Sequence, residues 1–178
     1  MAIKEFRDEN RWLSNFTPVK ITLGGIQYPS VEHAYMSAKG DDMGWKSKCA
    51  DKQITAGQIK RECKDIMLVD DWREIKVHIM RHCLTEKFYQ SPFKEKLLAT
   101  KIQHIEEGNT WGDVFWGVNL TTGEGKNMLG KLIMEIRSDL FHDMIYLLRQ
   151  LDSQKPLNEL IGLTEEECEI FMKNERRK

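Results

Sequence analysis

The alternation of apolar and polar positions predicts a β-hairpin within residues 12–28. Apolar residues occupy every second position from Val19 to Leu23, and the same period of two resumes over residues 26–28. Gly24-Gly25 between the two runs supplies the two-residue turn that hairpins prefer. Pro29 then ends the second strand.

Apolar residues at every third or fourth position predict helices over most of the remaining chain. Ser30 is a suitable N-cap for a helix over residues 31–39, which Gly40 ends. Long apolar stripes predict an amphipathic helix over residues 71–89 and a longer one over residues 127–151. Shorter helical segments are predicted within residues 41–66 and 92–99, and a capping box beginning at Thr164 opens a last helix. Residues 101–106 fit a short strand or a turn, and residues 115–119 a short strand.

These elements predict an α+β fold, a mainly helical single domain with a small antiparallel sheet. The domain is expected to span residues 1–151, and residues 152–178 form a C-terminal helical extension. The extension carries too many apolar residues for a disordered tail. It either docks on the surface of its own domain or covers a second subunit or another partner, and the oligomeric state stays open.

Composition narrows the function classes. The 178 residues carry 27 basic and 28 acidic side chains, so the net charge of -1 gives no support to a nucleic-acid coat or an anionic membrane surface. No apolar run approaches the roughly 20 residues that span a bilayer, and the N-terminus is unlike a signal peptide. The 4 cysteines form no C-x-x-C pair, which favours reduced thiols and a cytoplasmic protein without a zinc site. His78 and His82 share a helix face but have no evident third ligand.

Four clusters of polar and aromatic residues stand out, at residues 13–16, 32–39, 107–117 and 123–130. Helical spacing places Glu32, either Tyr35 or Met36, and Lys39 on one face of the predicted helix. Each cluster also has a structural interpretation. Acidic first turns and basic last turns suit the helix dipole, and tryptophans beside glycines often form core corners. Residues 123–130 are either a plain helix entry or a phosphate cradle, because free N–H groups at a helix start attract anions.

The combination of the clusters is more specific than any one of them. In chain order the motifs are Phe6-Arg7, Leu13-Ser14-Asn15-Phe16, Tyr28-Pro29-Ser30-Val31-Glu32-His33-Ala34-Tyr35, Lys39, Asp71-Trp72, Met80, Lys87-Phe88, Glu107-Gly108-Asn109-x-Trp111-x-Asp113-x-x-Trp116-Gly117, Gly125-x-Asn127-x-Leu129-Gly130 and Leu132-x-Met134-x-x-Arg137. This series resembles the NADAR (YbiA-like) domain family over about residues 3–140. The segment from about residue 152 lies outside the resemblance.

The resemblance implies a hydrolase, an N-glycosidase that cleaves the bond between a ribose C1 and an amino group and needs no metal or cofactor. The implied substrates are ADP-ribosylated guanine, free or within nucleic acid, and the ribosylamino-pyrimidine phosphates of riboflavin synthesis. The family's functional positions fall on Glu32, Trp72, Trp111 and Asp113, and Lys39 also matches. The alternative is a module that binds ADP-ribose or a related nucleotide without turnover, but the presence of both Glu32 and Lys39 favours an enzyme.

The chemistry of such a reaction suits these residue types. Breaking a ribosyl C–N bond builds positive charge on the sugar, which one carboxylate stabilises while a second activates water or delivers a proton. We expect Glu32, Lys39 and Asp113 to be catalytic, by direct hydrolysis or through an imine formed on Lys39. The expected substrate-binding residues are walls for the base, contacts for phosphate and neighbouring motif residues: Arg7, Ser14, Asn15, Phe16, His33, Tyr35, Trp72, Trp111, Trp116, Gly125, Lys126 and Asn127.

Overall fold

The computed structural model describes residues 2–151 and 154–175. Within these ranges the strands are β1 Ala2–Ile3, β2 Ile21–Leu23, β3 Ile26–Tyr28, β4 His104–Ile105, β5 Gly108–Asn109 and β6 Val118–Asn119. The α-helices are α1 Val31–Ser37, α2 Met43–Ala50, α3 Ala56–Glu62, α4 Trp72–Phe88, α5 Phe93–Ala99, α6 Met128–Leu151, α7 Leu157–Ile161 and α8 Glu165–Glu175. A 3-10 helix spans Asp8–Leu13. None of the helices in the described part of the chain is long and apolar enough to cross a bilayer.

The predicted α+β class with mostly helical content is confirmed. The antiparallel sheet is the β2–β3 hairpin, whereas β1 pairs with β4 and β5 with β6 in parallel. These parallel pairs are only 2 residues long on each strand, too short for a period of two to show in the sequence. The chain forms two compact units, residues 6–90 (the first unit) and the described residues outside that range (the second unit).

The first unit is organised around α1. All 7 residues of this helix are buried, because it packs against α2, α3 and α4. Ser30 begins α1 as predicted, since its side chain accepts a hydrogen bond from the His33 backbone N–H. The preceding hairpin also follows the prediction, with Gly24 and Gly25 at φ 58° and 78°, the positive values that a two-residue turn of this kind requires.

The second unit is organised around α6, the longest helix of the described chain at 24 residues. Its inner face buries Ile133, Ile136 and Leu140 completely. The C-terminal extension docks here, one of the two arrangements that the sequence left open. Its apolar side chains form a buried cluster with α6, which comprises Phe141, Ile161, Leu163 and Phe171.

Element ends differ from the predictions by a few residues where glycines or turns intervene. The helix expected over residues 31–39 ends its α-helical part at Ser37, and the strand expected over residues 115–119 is reduced to Val118–Asn119. The capping box at the start of α8 is present, because the Thr164 N–H donates to the Glu167 carboxylate and the Glu167 N–H to the Thr164 hydroxyl. The domain boundary expected at residue 151 stays a prediction.

Candidate functional site

Glu32 is a buried carboxylate in the first turn of α1. Only 3% of the residue is exposed, and the Lys60 Nζ on α3 lies 3.5 Å from the Glu32 Oε1. The Glu32 backbone N–H donates to the Asn15 carbonyl at 3.0 Å, which ties α1 to the chain before the hairpin. Burial limits the screening of this charge by water, so its field on a nearby ligand is strong.

Lys39 lies just after α1, against two aromatic rings. Its Nζ is 5.5 Å from the Tyr35 ring centroid and 5.8 Å from that of Trp72. The two rings are tilted by 55°, with centroids 5.1 Å apart. Aromatic faces attract an ammonium group at such distances. The structure thus brings together Lys39, Tyr35 and Trp72, three of the predicted site residues.

The charges of Glu32 and Lys39 act on the same buried thiol. Burial raises the pKa of Cys63, the Lys39 charge opposes this rise, and the Glu32 charge adds to it. Both side chains therefore lie within electrostatic range of Cys63. Lys39 lies two residues beyond the end of α1, so the expectation that it shares a helix face with Glu32 stays a prediction.

The segment Ser14–Phe16, a predicted binding motif, borders Glu32. The Ser14 hydroxyl accepts the Phe16 N–H at 3.2 Å, and the Phe16 ring lies 5.5 Å from the Lys60 Nζ. The Asn15 Nδ2 contacts the Met80 Sδ at 3.6 Å. The buried Oδ1 of Asn15 accepts from no donor among the described residues.

His33 and Arg7, both predicted to contact substrate, differ in their placement. The His33 ring is buried, with Nδ1 2.7 Å from the Ser30 hydroxyl and Nε2 3.0 Å from the Ile54 carbonyl. Burial lowers the pKa of His33 although the Ile54 carbonyl favours its protonated form. Both ring nitrogens are therefore used within the fold, and the predicted substrate contact of His33 stays a prediction. Arg7 is exposed at the N-cap of the 3-10 helix, where a ligand can reach it.

Asp113 lies in a hydrogen-bonded turn of the second unit. Its Oδ1 accepts the N–H groups of Phe115 and Trp116 at 3.1 Å and 2.8 Å, and Asn109 Oδ1 accepts its own N–H. No described residue donates a hydrogen bond to the second carboxylate oxygen. The turn fixes the carboxylate and leaves half of it available for chemistry.

The two tryptophans beside this turn, Trp111 and Trp116, differ in their exposure to solvent. Trp111 is 62% exposed, an unusual position for so large an apolar ring. Trp116 is half-buried and lies edge-on to Phe115, with ring centroids 5.0 Å apart. The exposed Trp111 ring offers a flat face on which a base can stack.

The glycine-rich segment 123–130 forms a packed helix entry. The backbone N–H groups of residues 126–129 donate to the carbonyls of Val114, Gly117, Phe115 and Trp116, at 2.7–3.2 Å. Lys126 and Asn127 thus already use their amide N–H groups within the chain, as a plain helix entry would, whereas the predicted phosphate contact of this segment stays a prediction. Gly125 allows close backbone approach, because a Cβ on it would lie 2.2 Å from the Gly117 carbonyl oxygen.

Asn127 braces this entry from inside. Its Oδ1 accepts the Glu107 N–H at 3.1 Å and its Nδ2 donates to the Ile105 carbonyl at 2.8 Å. The residue is 5% exposed, so its side chain supports the loop, and its predicted substrate contact stays a prediction. Lys126 remains exposed, with its Nζ 5.6 Å from the Phe115 ring centroid.

Two lysines of the first unit were not recognised as site residues. Lys60, the partner of Glu32, lies on an exposed helix face in no motif. Lys87 occurs in a quoted motif without a role, yet it is fully buried and donates to the Ser14 carbonyl at 2.8 Å. The one signal for Lys87 was a lysine on the apolar stripe of the helix over residues 71–89.

Comparison with known proteins identifies relatives that match most of this chain. The model of the NADAR domain family matches residues 3–141, across both units. A riboflavin biosynthesis protein of Vibrio vulnificus is 37% identical over 153 residues, which are 83% of this chain and 41% of that protein. This chain thus spans about two fifths of that relative.

Smaller relatives match over most of their length. The N-glycosidase YbiA of Escherichia coli is 32% identical over 130 residues, 71% of this chain and 79% of YbiA. The NMR structure of Escherichia coli YbiA superposes with a TM-score of 0.69 at 26% identity, covering 85% of this chain and 87% of that one. The α+β fold is therefore shared with this group.

Proposed function

Because the chain belongs to the NADAR domain family, we propose that it is an N-glycosidase that hydrolyses the bond between a ribose C1 and an exocyclic amine of a base. The observation that carries the proposal is the buried carboxylate of Glu32 in the same unit as Lys39 and its two aromatic rings. The candidate substrates are ribosylamino-pyrimidine phosphates and ADP-ribosylated guanine. The name of the Vibrio vulnificus relative favours the former.

Glu32 would stabilise the positive charge that develops on the ribose as the C1–N bond breaks. A fixed carboxylate in a water-poor site is effective in this role, because it needs no reorganisation during the reaction. Lys60 balances its charge from 3.5 Å. In the net reaction a water oxygen bonds to C1, and the water proton goes to the departing amine.

The surroundings of Glu32 would recognise the base and its amine. Phe16, Tyr35 and Trp72 offer aromatic walls, and the Asn15 Oδ1 offers an acceptor for an N–H of the exocyclic amine. A non-catalytic nucleotide-binding module would need the walls but not the buried Glu32 carboxylate. The carboxylate therefore favours the enzyme.

Asp113 and Trp111 are proposed site residues on the strength of the family motif. Asp113 has one carboxylate oxygen to which no described residue donates a hydrogen bond, and Trp111 has an exposed ring. Arg7 and Lys126 are proposed to contact phosphate groups through their exposed side chains. We also propose a cytoplasmic setting, in keeping with 4 cysteines that form no disulfide.

Lys39 separates two chemical routes. In direct hydrolysis it acts as a charge held by Tyr35 and Trp72. In the imine route the ribose ring opens, the neutral Lys39 amine replaces the base amine at C1, and water then hydrolyses the Schiff base. Borohydride added during turnover traps sugar on Lys39 only in the second route, and Lys39→Arg then loses both trapping and turnover.

The test of the proposed function is base release by Glu32→Gln, measured by chromatography with EDTA present. The substrates are a ribosylamino-pyrimidine phosphate and an ADP-ribosylated guanine, free and in an oligonucleotide. We expect a loss of about 100-fold or more in kcat for Glu32→Gln, the size typical of a lost charge-stabilising group. The control Glu74→Gln removes an exposed carboxylate from the first turn of α4 and should stay within twofold of wild type. A wild-type protein that binds these compounds without releasing base, or an active Glu32→Gln, contradicts the proposal.

A further inference from the structure

Lys87 is a fully buried lysine for which the proposed reaction has no role. It lies on α4 beside Leu84 and Phe88, and all three residues are 0% exposed. Lysine is almost never fully buried, because its ammonium group loses its hydration. An apolar residue at this position would pack better in the core, so the presence of a lysine meets a requirement other than core packing.

The requirement is visible at the end of the side chain. The Lys87 Nζ donates to the carbonyl of Ser14 at 2.8 Å, across 73 residues of sequence. Burial lowers the pKa of Lys87 to about 7. Both the ammonium form and the neutral amine carry N–H donors, so this hydrogen bond is available in either state.

The Ser14 carbonyl belongs to the segment that holds Glu32. The next carbonyl, that of Asn15, accepts the Glu32 backbone N–H at 3.0 Å. The Phe16 ring lies 5.5 Å from the Lys60 Nζ, and Lys60 is the ion-pair partner of the Glu32 carboxylate. Two short routes therefore lead from Lys87 through residues 14–16 to Glu32, one to its backbone and one to its charge.

We propose that Lys87 is a positioning residue, which anchors Ser14–Phe16 from α4 and thereby fixes the place of Glu32. It touches no substrate. The proposal rests on the proposed function for its kinetic consequence, but its structural consequence is independent of any activity. A carboxylate that stabilises charge must be held to within a fraction of an ångström, and a loop segment alone holds it less well than an anchored one.

The kinetic test compares Lys87→Met, which removes the donor and keeps a flexible apolar chain, with Arg73→Met, which removes an exposed charge from the same helix. We expect Lys87→Met to lower kcat at least about tenfold, because Glu32 loses its alignment. KM should rise by less than kcat falls, through the base contacts proposed for Asn15 and Phe16 on the same segment. Adding Lys87→Met to Glu32→Gln should cost little more, since both act through one group. Arg73→Met should retain wild-type kcat. Multiplicative losses in the double variant, or an unchanged kcat in Lys87→Met, overturn the proposal.

The structural test measures amide hydrogen exchange by NMR. The Glu32 N–H should exchange at least about tenfold faster in Lys87→Met, because its acceptor segment has lost its anchor. The Ala34 N–H, which donates to the Ser30 carbonyl within the helix start, is the internal control and should change little. Equal protection of Glu32 in wild type and variant refutes the anchoring role. This result stays informative if the wild type has no glycosidase activity.

Lys87→Gln provides a second variant in case Lys87→Met does not fold. Its amide donor is uncharged and ends about one bond short of the lysine Nζ, so it should hold the Ser14 carbonyl poorly. We expect the same direction of change in kcat and in Glu32 exchange. Wild-type values of both in a folded Lys87→Gln also overturn the proposal.

Discussion

Replacing Gly125 by alanine separates a packed helix entry from an anion-binding loop. The backbone φ of Gly125 is 152°, in a region that is essentially restricted to glycine. A Cβ there would lie 2.2 Å from the Gly117 carbonyl oxygen and 2.7 Å from the Val118 Cα, and neither backbone atom can rotate away. Gly125→Ala must therefore shift the backbone that accepts the Asn127 N–H.

The expected loss follows from these two effects. The strained conformation costs about 1–3 kcal/mol. Each backbone hydrogen bond lost from the helix entry adds about 1 kcal/mol. With two such bonds lost, the free energy of unfolding should fall by about 3–5 kcal/mol. A chain of this size loses about 2–4 °C in Tm per kcal/mol, which gives a decrease of about 6–20 °C.

Gly123→Ala is the matched control. Gly123 also has a positive φ, 73°, but no atom lies within 4 Å of its virtual Cβ. It should therefore lose only the conformational cost, about 1 kcal/mol. Thermal and urea unfolding followed by circular dichroism measure both variants. A Gly125→Ala protein as stable as Gly123→Ala, with a raised KM confined to phosphorylated substrates, would refute the packing argument and support the phosphate cradle.

Three further predictions concern buried groups and the extension. Because burial lowers the pKa of Lys87 to about 7, the folded state prefers the neutral amine. As the pH rises from about 7 to 10, the free energy of unfolding of wild type should increase relative to that of Lys87→Met by about 1 kcal/mol per pH unit. Urea unfolding that shows no such increase contradicts this burial effect. Asn127→Ala should lower the free energy of unfolding by about 3 kcal/mol, through two lost hydrogen bonds and a strained φ of 49°. KM should stay unchanged in steady-state assays, whereas a selective rise in KM would indicate substrate contact. Truncation after Leu151 should lower Tm by more than about 5 °C, because it uncovers the cluster around Phe141. The kcat of the folded fraction should stay within a few-fold of the wild-type value. Lost turnover at a normal Tm would show that the extension contributes to the site.

The sequence was sufficient where local chemistry decides the structure. Gly24-Gly25 set the hairpin turn and Ser30 set the start of α1, because the deciding contacts lie within three residues. Apolar periodicity located α4 and α6, because apolar residues that recur every three or four positions indicate one buried helix face. The family motifs in turn led to Lys39, Tyr35 and Trp72, which the structure brings together.

The remaining features depend on partners that are distant along the chain. The role of Lys87 is defined by a carbonyl 73 residues away, and that of Asn127 by carbonyl and N–H groups about 20 residues earlier. The amides after Gly125 look unpaired in a sequence, since nothing in it shows that residues 114–117 turn back to accept from them. Such pairings need coordinates.

The pairing of β1 with β4 affects how the chain must be made and handled. β1 belongs to the second unit, yet the whole of the first unit lies between Ala2 in β1 and its partner His104 in β4. The neighbouring ion pair joins Lys4 to Glu106, 102 residues apart. At synthesis rates of about 5–20 residues per second, the first unit leaves the ribosome complete while β1 waits about 5–20 s for its partner. Deletion of β1 would thus disturb the half of the protein that is synthesised last.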